Sequence, residues 1–119
     1  MEHLGHNEII VFGSNINGFH SGGLALKAVK KYGALFGIGE GMQGQSYAIP
    51  TTDCSSRDTA EAIGRFIVFA KQHPNLQFYV TSIGCGHAGY KPYEMARLFV
   101  DAVSAENIYL PAEFWRYLV

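Results

Sequence analysis

Three short apolar runs each stop at a cluster of glycines or hydroxyls and then give way to a helical pattern. This alternation restricts the fold more than any other feature of the chain. Glu8–Phe12 (EIIVF) is a β-branched run ending at Gly13, and Gly22–Tyr32 follows with Leu24, Ala25, Ala28, Val29 and Tyr32 on one face. Ser46–Pro50 ends at Thr51-Thr52-Asp53. A long helix then runs to His73, N-capped by Ser55 or Ser56, with Ala60, Ile63, Phe66, Ile67 and Ala70 at helical spacing. Gln77–Ile83 ends at Gly84, and a helix with Pro92 in its first turn carries Met95, Leu98, Phe99, Ala102 and Val103 as a stripe. Ala34–Gln45 reads as loop with at most a brief strand, Asn107–Leu110 as a last strand, and Pro111–Leu118 as a terminal helical turn or two. Strands alternating with helices indicate an α/β sandwich whose core strands are at least partly parallel.

The 119 residues leave room for one domain, 1–119, which buries about 60–70% of its unfolded surface and holds its core without staples. Nine Lys+Arg against ten Asp+Glu exclude a dominant attraction to free nucleic acid or an anionic membrane; Lys27, Lys30 and Lys31 read as a solvated helix face. Two cysteines, Cys54 and Cys85, form neither a disulfide framework nor a C-x-x-C zinc pair. The start, MEHLGHNE, lacks the pattern of a secretory signal, and no apolar run approaches about 18 residues. The expectation is a cytoplasmic protein with no membrane association and no cofactor. Phe114, Trp115, Tyr117 and Leu118 leave monomer and homodimer both open.

In open α/β sheets, ligands bind at the carboxyl ends of the strands. Here those ends carry Gly13-Ser14-Asn15 leading to Gly22-Gly23, then Thr51-Thr52-Asp53, then Gly84-Cys85-Gly86-His87-Ala88-Gly89-Tyr90. The two glycine-bearing loops feed helix N-termini, where free N–H groups and the helix dipole favour an anion. Side by side they suit a diphosphate. Two G-x-G-x-x-G matches do not make a dinucleotide-binding fold: Gly39-Gly41-Gly44 leads into a strand, and Gly84-Gly86-Gly89 is followed by too little chain for a second βαβ unit.

At these residues the sequence resembles a macro domain, the ADP-ribose-binding fold. Asn15 matches the last asparagine of that family's Asn-Ala-Ala-Asn run, Ser21-Gly22-Gly23-Leu24-Ala25 its glycine-rich loop, and Ser46–Thr51 its central strand. Thr81–Tyr90 is most similar to the Ile-Gly-Cys-Gly version, found in macro domains that remove terminal ADP-ribose from proteins. The resemblance implies a three-layer α/β/α sandwich with a mixed central sheet that binds ADP-ribose or a related nucleotide diphosphate sugar, free or on an ADP-ribosylated macromolecule. It also implies a ligand pose. Asn15 faces the distal ribose; the Gly22-Gly23-Leu24 backbone and the loop Ile83-Gly84-Cys85-Gly86-His87-Ala88-Gly89-Tyr90 enclose the diphosphate. The first-strand end, Phe12-Gly13-Ser14, lies near adenine, with Thr51 at the central strand. Those hydrolases carry a lysine after the central strand, where this chain has Thr51 or Thr52, and an aspartate where it has Ala88, so their covalent mechanism is not expected here.

For catalysis the candidates are Asn15, to position the ribose, and Asp53 or His87, to move a proton. His20 stands alongside His87. Phe12, Phe19 and Tyr90 are candidate stacking rings. The alternatives are a thiol-dependent enzyme using Cys85 at a helix N-terminus, and a non-catalytic partner-binding module.

Overall fold

Ile9-Ile10-Val11-Phe12 points alternately to two cores, which is why an unbroken apolar run sits at the centre of the sheet. The computed structural model describes residues 4–20, 22–86 and 88–118. Strand β1 (Glu8–Asn15) is flanked by β3 (Ser46–Thr52) and β4 (Gln77–Val80), both parallel to it. At one edge β2 (Gly41–Gln43) pairs antiparallel with β3, and at the other β5 (Ile108–Tyr109) pairs parallel with β4. The sheet is therefore mixed, in the order β2-β3-β1-β4-β5.

Helix α1 (Gly23–Lys31) packs Ala28, with half-buried Leu24, Ala25 and Val29, on Ile10, Phe12 and Ala48. On the opposite face α2 (Ser56–Lys71) inserts Ala62, Ile63, Phe66, Ile67 and Ala70, and α3 (Pro92–Leu98) and α4 (Ala112–Trp115) add Met95 and Phe114. Helices on both faces make this a three-layer α/β/α sandwich. Ser55 caps α2: its hydroxyl accepts from Asp58 N at 3.0 Å, while the Asp58 carboxylate accepts from Ser55 N at 3.1 Å.

Several element ends depart from the sequence reading: β3 runs on to Thr52, α2 stops at Lys71 and α4 covers only Ala112–Trp115, and three further departures have a visible cause. Strand β1 continues beyond Phe12 because Gly13–Asn15 stay paired with β3. Strand β4 stops at Val80 rather than Ile83: Thr81 donates to Val11 O through both its amide (3.1 Å) and its hydroxyl (2.7 Å), and Ile83 N turns back on Thr81 O at 2.7 Å. The last stripe breaks after Leu98, where a 3-10 turn over Val100–Ala102 keeps Phe99 and Ala102 buried but leaves Val103 39% exposed. A 3-10 turn advances about 120° per residue instead of 100°, which carries the eighth position off the buried face.

Tyr47, 4% exposed on β3, packs edge-on to Phe66 at 5.0 Å and against Phe69 at 5.2 Å. Burial pushes its hydroxyl up to about 12; the Glu40 carboxylate adds to the rise and the Arg65 guanidinium opposes it. A pKa raised by folding gives stability that is complete below pH 10, the unfolded value, and lost as pH climbs towards 12. That loss is on the order of 3 kcal/mol. Tyr47→Phe removes this share of the alkaline loss, measurable as denaturant midpoints below and above the window.

Candidate functional site

Parallel pairing sets the carboxyl ends of β3, β1 and β4 side by side, and a cleft of about 840 Å³ opens over them. Its floor is Gly13, Ser14 and Asn15 of β1, with Thr51, Thr52 and Asp53 from the β3 end and Thr81–Gly84 beyond β4. At Gly13 a Cβ would lie 3.2 Å from Thr51 Oγ1 and 3.4 Å from Gly84 N, so the neighbouring strand ends close in on a position that has no side chain. Phe19 and Gly22–Ala25 form one wall; Gly86 and Ala88 stand across from them.

The wall at Gly22–Ala25 is the start of α1. Its N-cap, Gly22, supplies no side-chain hydrogen bond, and the first turn contains no acid. The Gly23, Leu24 and Ala25 amides precede the first intrahelical donor, Leu26 N, which bonds Gly22 O at 3.3 Å. Helix α2 satisfies its own first turn through Ser55 and Asp58; among the described residues no side chain caps the first turn of α1, which lies at the cleft. The opposing loop is pinned by Tyr90 N on Gly84 O (2.8 Å) and Gly89 N on Gly86 O (3.0 Å). Gly84 has φ +75°, and a Cβ there would meet the Tyr90 ring at 3.0 Å and Met95 Sδ at 3.1 Å, so only glycine fits this corner.

At the β3 side, Asn15 Nδ2 donates to Asp53 Oδ2 at 2.6 Å, and Asn15 Oδ1 accepts from Asn17 N at 2.8 Å. The pair exists because the β1–β3 register slips between Ser14 and Asn15, which brings Asn15 opposite Thr52 instead of Thr51. Such irregularities re-aim side chains at sheet ends. Asp53 is left with φ +57°, the one positive φ among the described non-glycine residues. Aspartate tolerates this region better than most residues. The outcome is an exposed carboxylate at the cleft, on a positive-φ backbone and with one hydrogen bond from Asn15.

Most of the residues singled out from the sequence therefore share one cleft: Gly13, Ser14, Asn15, Gly22, Gly23, Leu24, Thr51, Asp53, Ile83, Gly84, Gly86 and Ala88. Phe12 does not line it. Its ring is fully buried in the α1-side core, edge-on to His20 at 5.4 Å. Cys85 and Tyr90 are half-buried and pack against the opposite core, and Gly89 is exposed outside the lining. His87 lies outside the described residues. His20 is fully buried, with Nε2 3.0 Å from Ile38 O and no partner for Nδ1 among the described residues. Burial pushes the Cys85 thiol up, with the carboxylates of Glu113 and Glu94 adding to the rise, which is the opposite of what a nucleophilic thiolate needs. Thr52, Ala25, Thr81 and Ser82 also line the cleft, although the sequence motifs that contain them single out only their neighbours as ligand contacts; the hydroxyls just before Gly84 are the available signal, since they fall at a strand end.

Among the described residues no group of three or more His, Cys, Asp or Glu is placed to hold a metal ion, and no helix is long and apolar enough to cross a membrane. Comparison with protein-family models, with curated proteins and with solved structures finds no match to this chain.

Proposed function

We propose that the cleft binds ADP-ribose or a related nucleotide diphosphate sugar. The observation that carries this reading is the first turn of α1, without a side-chain cap among the described residues, lining one cleft with the Gly84–Gly86 loop over the ends of three adjacent parallel strands. Amides on one wall that have no partner among the described residues, joined by the Ser82 hydroxyl, suit phosphate oxygens that two nearby groups share. Phe19, 64% exposed at the rim, offers a ring face to a base or ribose. The resemblance of Thr81–Tyr90 to the Ile-Gly-Cys-Gly macro domains supports the same ligand. Calorimetric titration with ADP-ribose tests it. The expected result is micromolar binding, about -8 kcal/mol, with AMP and ribose 5-phosphate each weaker by about 100-fold or more because neither spans the site. Equal affinity for a fragment would remove the bridging diphosphate.

The Asn15–Asp53 pair favours a second step, hydrolysis of an ADP-ribosyl linkage. Asn15 orients the ribose, a water attacks its anomeric carbon, and Asp53 accepts the water's proton as the bond to the leaving group breaks. Neither the lysine nor the aspartate of the covalent route is required. Release of free ADP-ribose from a modified protein that persists in Cys85→Ser and disappears in Asp53→Ala is the expected outcome.

A further inference from the structure

Helix α2 carries a glycine that its own fold does not require. Gly64 is exposed in mid-helix, has no positive φ, and a Cβ built there meets nothing within 4 Å. Glycine at such a position weakens a helix relative to alanine. One turn on, Val68 is 56% exposed. Beside the two residues a groove of about 530 Å³ runs between α2 and the 3-10 turn, where Lys71, Val100, Asp101 and Val103 join Gly64 and Val68 in the lining. Val100 is 57% exposed. The groove shares no lining residue with the strand-end cleft.

The outward stripe of α2 advances in steps of four and three: Arg57, Glu61, Gly64, Val68, Lys71. That spacing keeps one line of side chains turned towards a neighbouring helix. Two copies laid antiparallel about a two-fold axis pair residues that lie equally far on either side of the axis. With the axis midway between Gly64 and Val68, each Val68 meets the other copy's Gly64 and each Glu61 meets the other copy's Lys71. A valine then fills each notch left by a glycine, and a carboxylate meets an ammonium at both ends of a seam about 15 Å long. Parallel helices in the same register would set Glu61 on Glu61 and Lys71 on Lys71. The groups needed are at hand. Lys71 has no ion-pair partner among the described residues, and Glu61 holds Arg57 only loosely, at 3.4 Å on an exposed face. Arg65 is engaged elsewhere, donating to both Glu40 oxygens at 2.7 and 2.8 Å.

We infer that α2 and the groove beside it form a homodimer interface, in which a second copy packs its α2 antiparallel on this one with each Val68 seated at the other's Gly64. Val100 and Val103 extend the apolar floor of the contact, and Lys71 and Asp101 stand at its rim. A single helix pair and a short turn bury less than about 1,200 Å², so the dimer is weak and reversible, with a dissociation constant on the order of 100 μM. The inference is independent of the ligand reading, because the seam uses no cleft residue.

The test is sedimentation equilibrium of the full chain from about 10 μM to about 1 mM, a range that brackets this affinity. Wild type is expected to follow a monomer–dimer equilibrium. Glu61→Lys and Lys71→Glu each place like charges at both ends of the seam and are expected to weaken association about tenfold. The double variant Glu61→Lys/Lys71→Glu restores opposite charges and is expected to return to within about threefold of wild type. Both positions are exposed, so the fold is kept, and a thermal melt checks it. Gly64→Ala is expected to give opposed readouts: a higher Tm in melts at a few micromolar, where the monomer prevails, and association weaker by about tenfold because the methyl fills the notch. A wild-type chain that stays monomeric at 1 mM, or assembles without stopping at a dimer, overturns the inference. So does a dimer that the single charge reversals leave unchanged or that the double reversal fails to restore.

Discussion

Gly39→Ala is expected to destabilise the protein by about 3 kcal/mol or more, lowering Tm by about 10 °C, although it adds a single methyl group. Gly39 is buried, and a Cβ there would lie 2.2 Å from Ile16 O, 2.5 Å from Ile16 C and 2.6 Å from Asn15 O. All three contacts are backbone, so no side-chain rotation relieves them. The chain has to move at the end of β1, where Asn15 turns towards Asp53, and where Ser14 Oγ donates to Gly39 O. The loss of stability is therefore expected to come with weakened ligand binding in whatever fraction stays folded. Gly64→Ala is the control. Gly64 lies exposed in the middle of α2, and a Cβ added there would have nothing within 4 Å. The same chemical change is expected to stabilise there by about 1 kcal/mol, through helix propensity alone. Thermal melts of the two variants should move in opposite directions.

Gly86→Glu is expected to reduce ADP-ribose affinity by about 100-fold or more while leaving Tm nearly unchanged. Gly86 is exposed at the cleft wall, has no positive φ and has nothing within 4 Å of a Cβ, so a side chain is accommodated by the fold. What the substitution changes is the space and charge offered to the diphosphate. Gly86→Gln separates the two effects: glutamine fills the same volume without the carboxylate, and the difference between the variants isolates charge repulsion. Unchanged affinity in both would place the ligand elsewhere. Gly84 would not serve this purpose, because its φ of +75° and its contacts with Tyr90 and Met95 tie any substitution to the fold.

Much of this architecture is legible in the amino-acid sequence, for identifiable reasons. Ile9–Phe12 reads as a central strand because a run apolar at every position needs a covered face on both sides, and it has one. The paired serines mark the start of α2 to within one residue, and the reciprocal Ser55–Asp58 hydrogen bonds choose Ser55 over Ser56. The three strand ends stand out because glycines and hydroxyls punctuate them. Contacts that depend on long-range register are not readable in this way. The Asn15–Asp53 bond joins residues 38 apart and requires a slip in the β1–β3 pairing that no local pattern encodes. Strand β2 has almost no strand signature in Gly41-Met42-Gln43. It is held by Gln43, whose side chain accepts from Leu35 N at 2.7 Å and donates to Ile38 O at 2.9 Å. Phe12 looks available at a strand end, but β1 runs on for three more residues and leaves its ring deep in the core. The rings of Phe19 and Phe12 are chemically alike, and only the layer each occupies separates a rim residue from a core one.

The most direct test is a backbone amide NMR titration with ADP-ribose, because it reports where the ligand sits as well as whether it binds. The largest shift changes are expected at Gly23, Leu24 and Ala25 in the first turn of α1 and at Gly84 and Gly86 across the cleft, with smaller ones at Asn15 and Asp53. Shifts confined to another surface, such as the groove between α2 and the 3-10 turn around Gly64, Val68 and Val100, or no shifts at all, would contradict the assignment of this cleft as a diphosphate site.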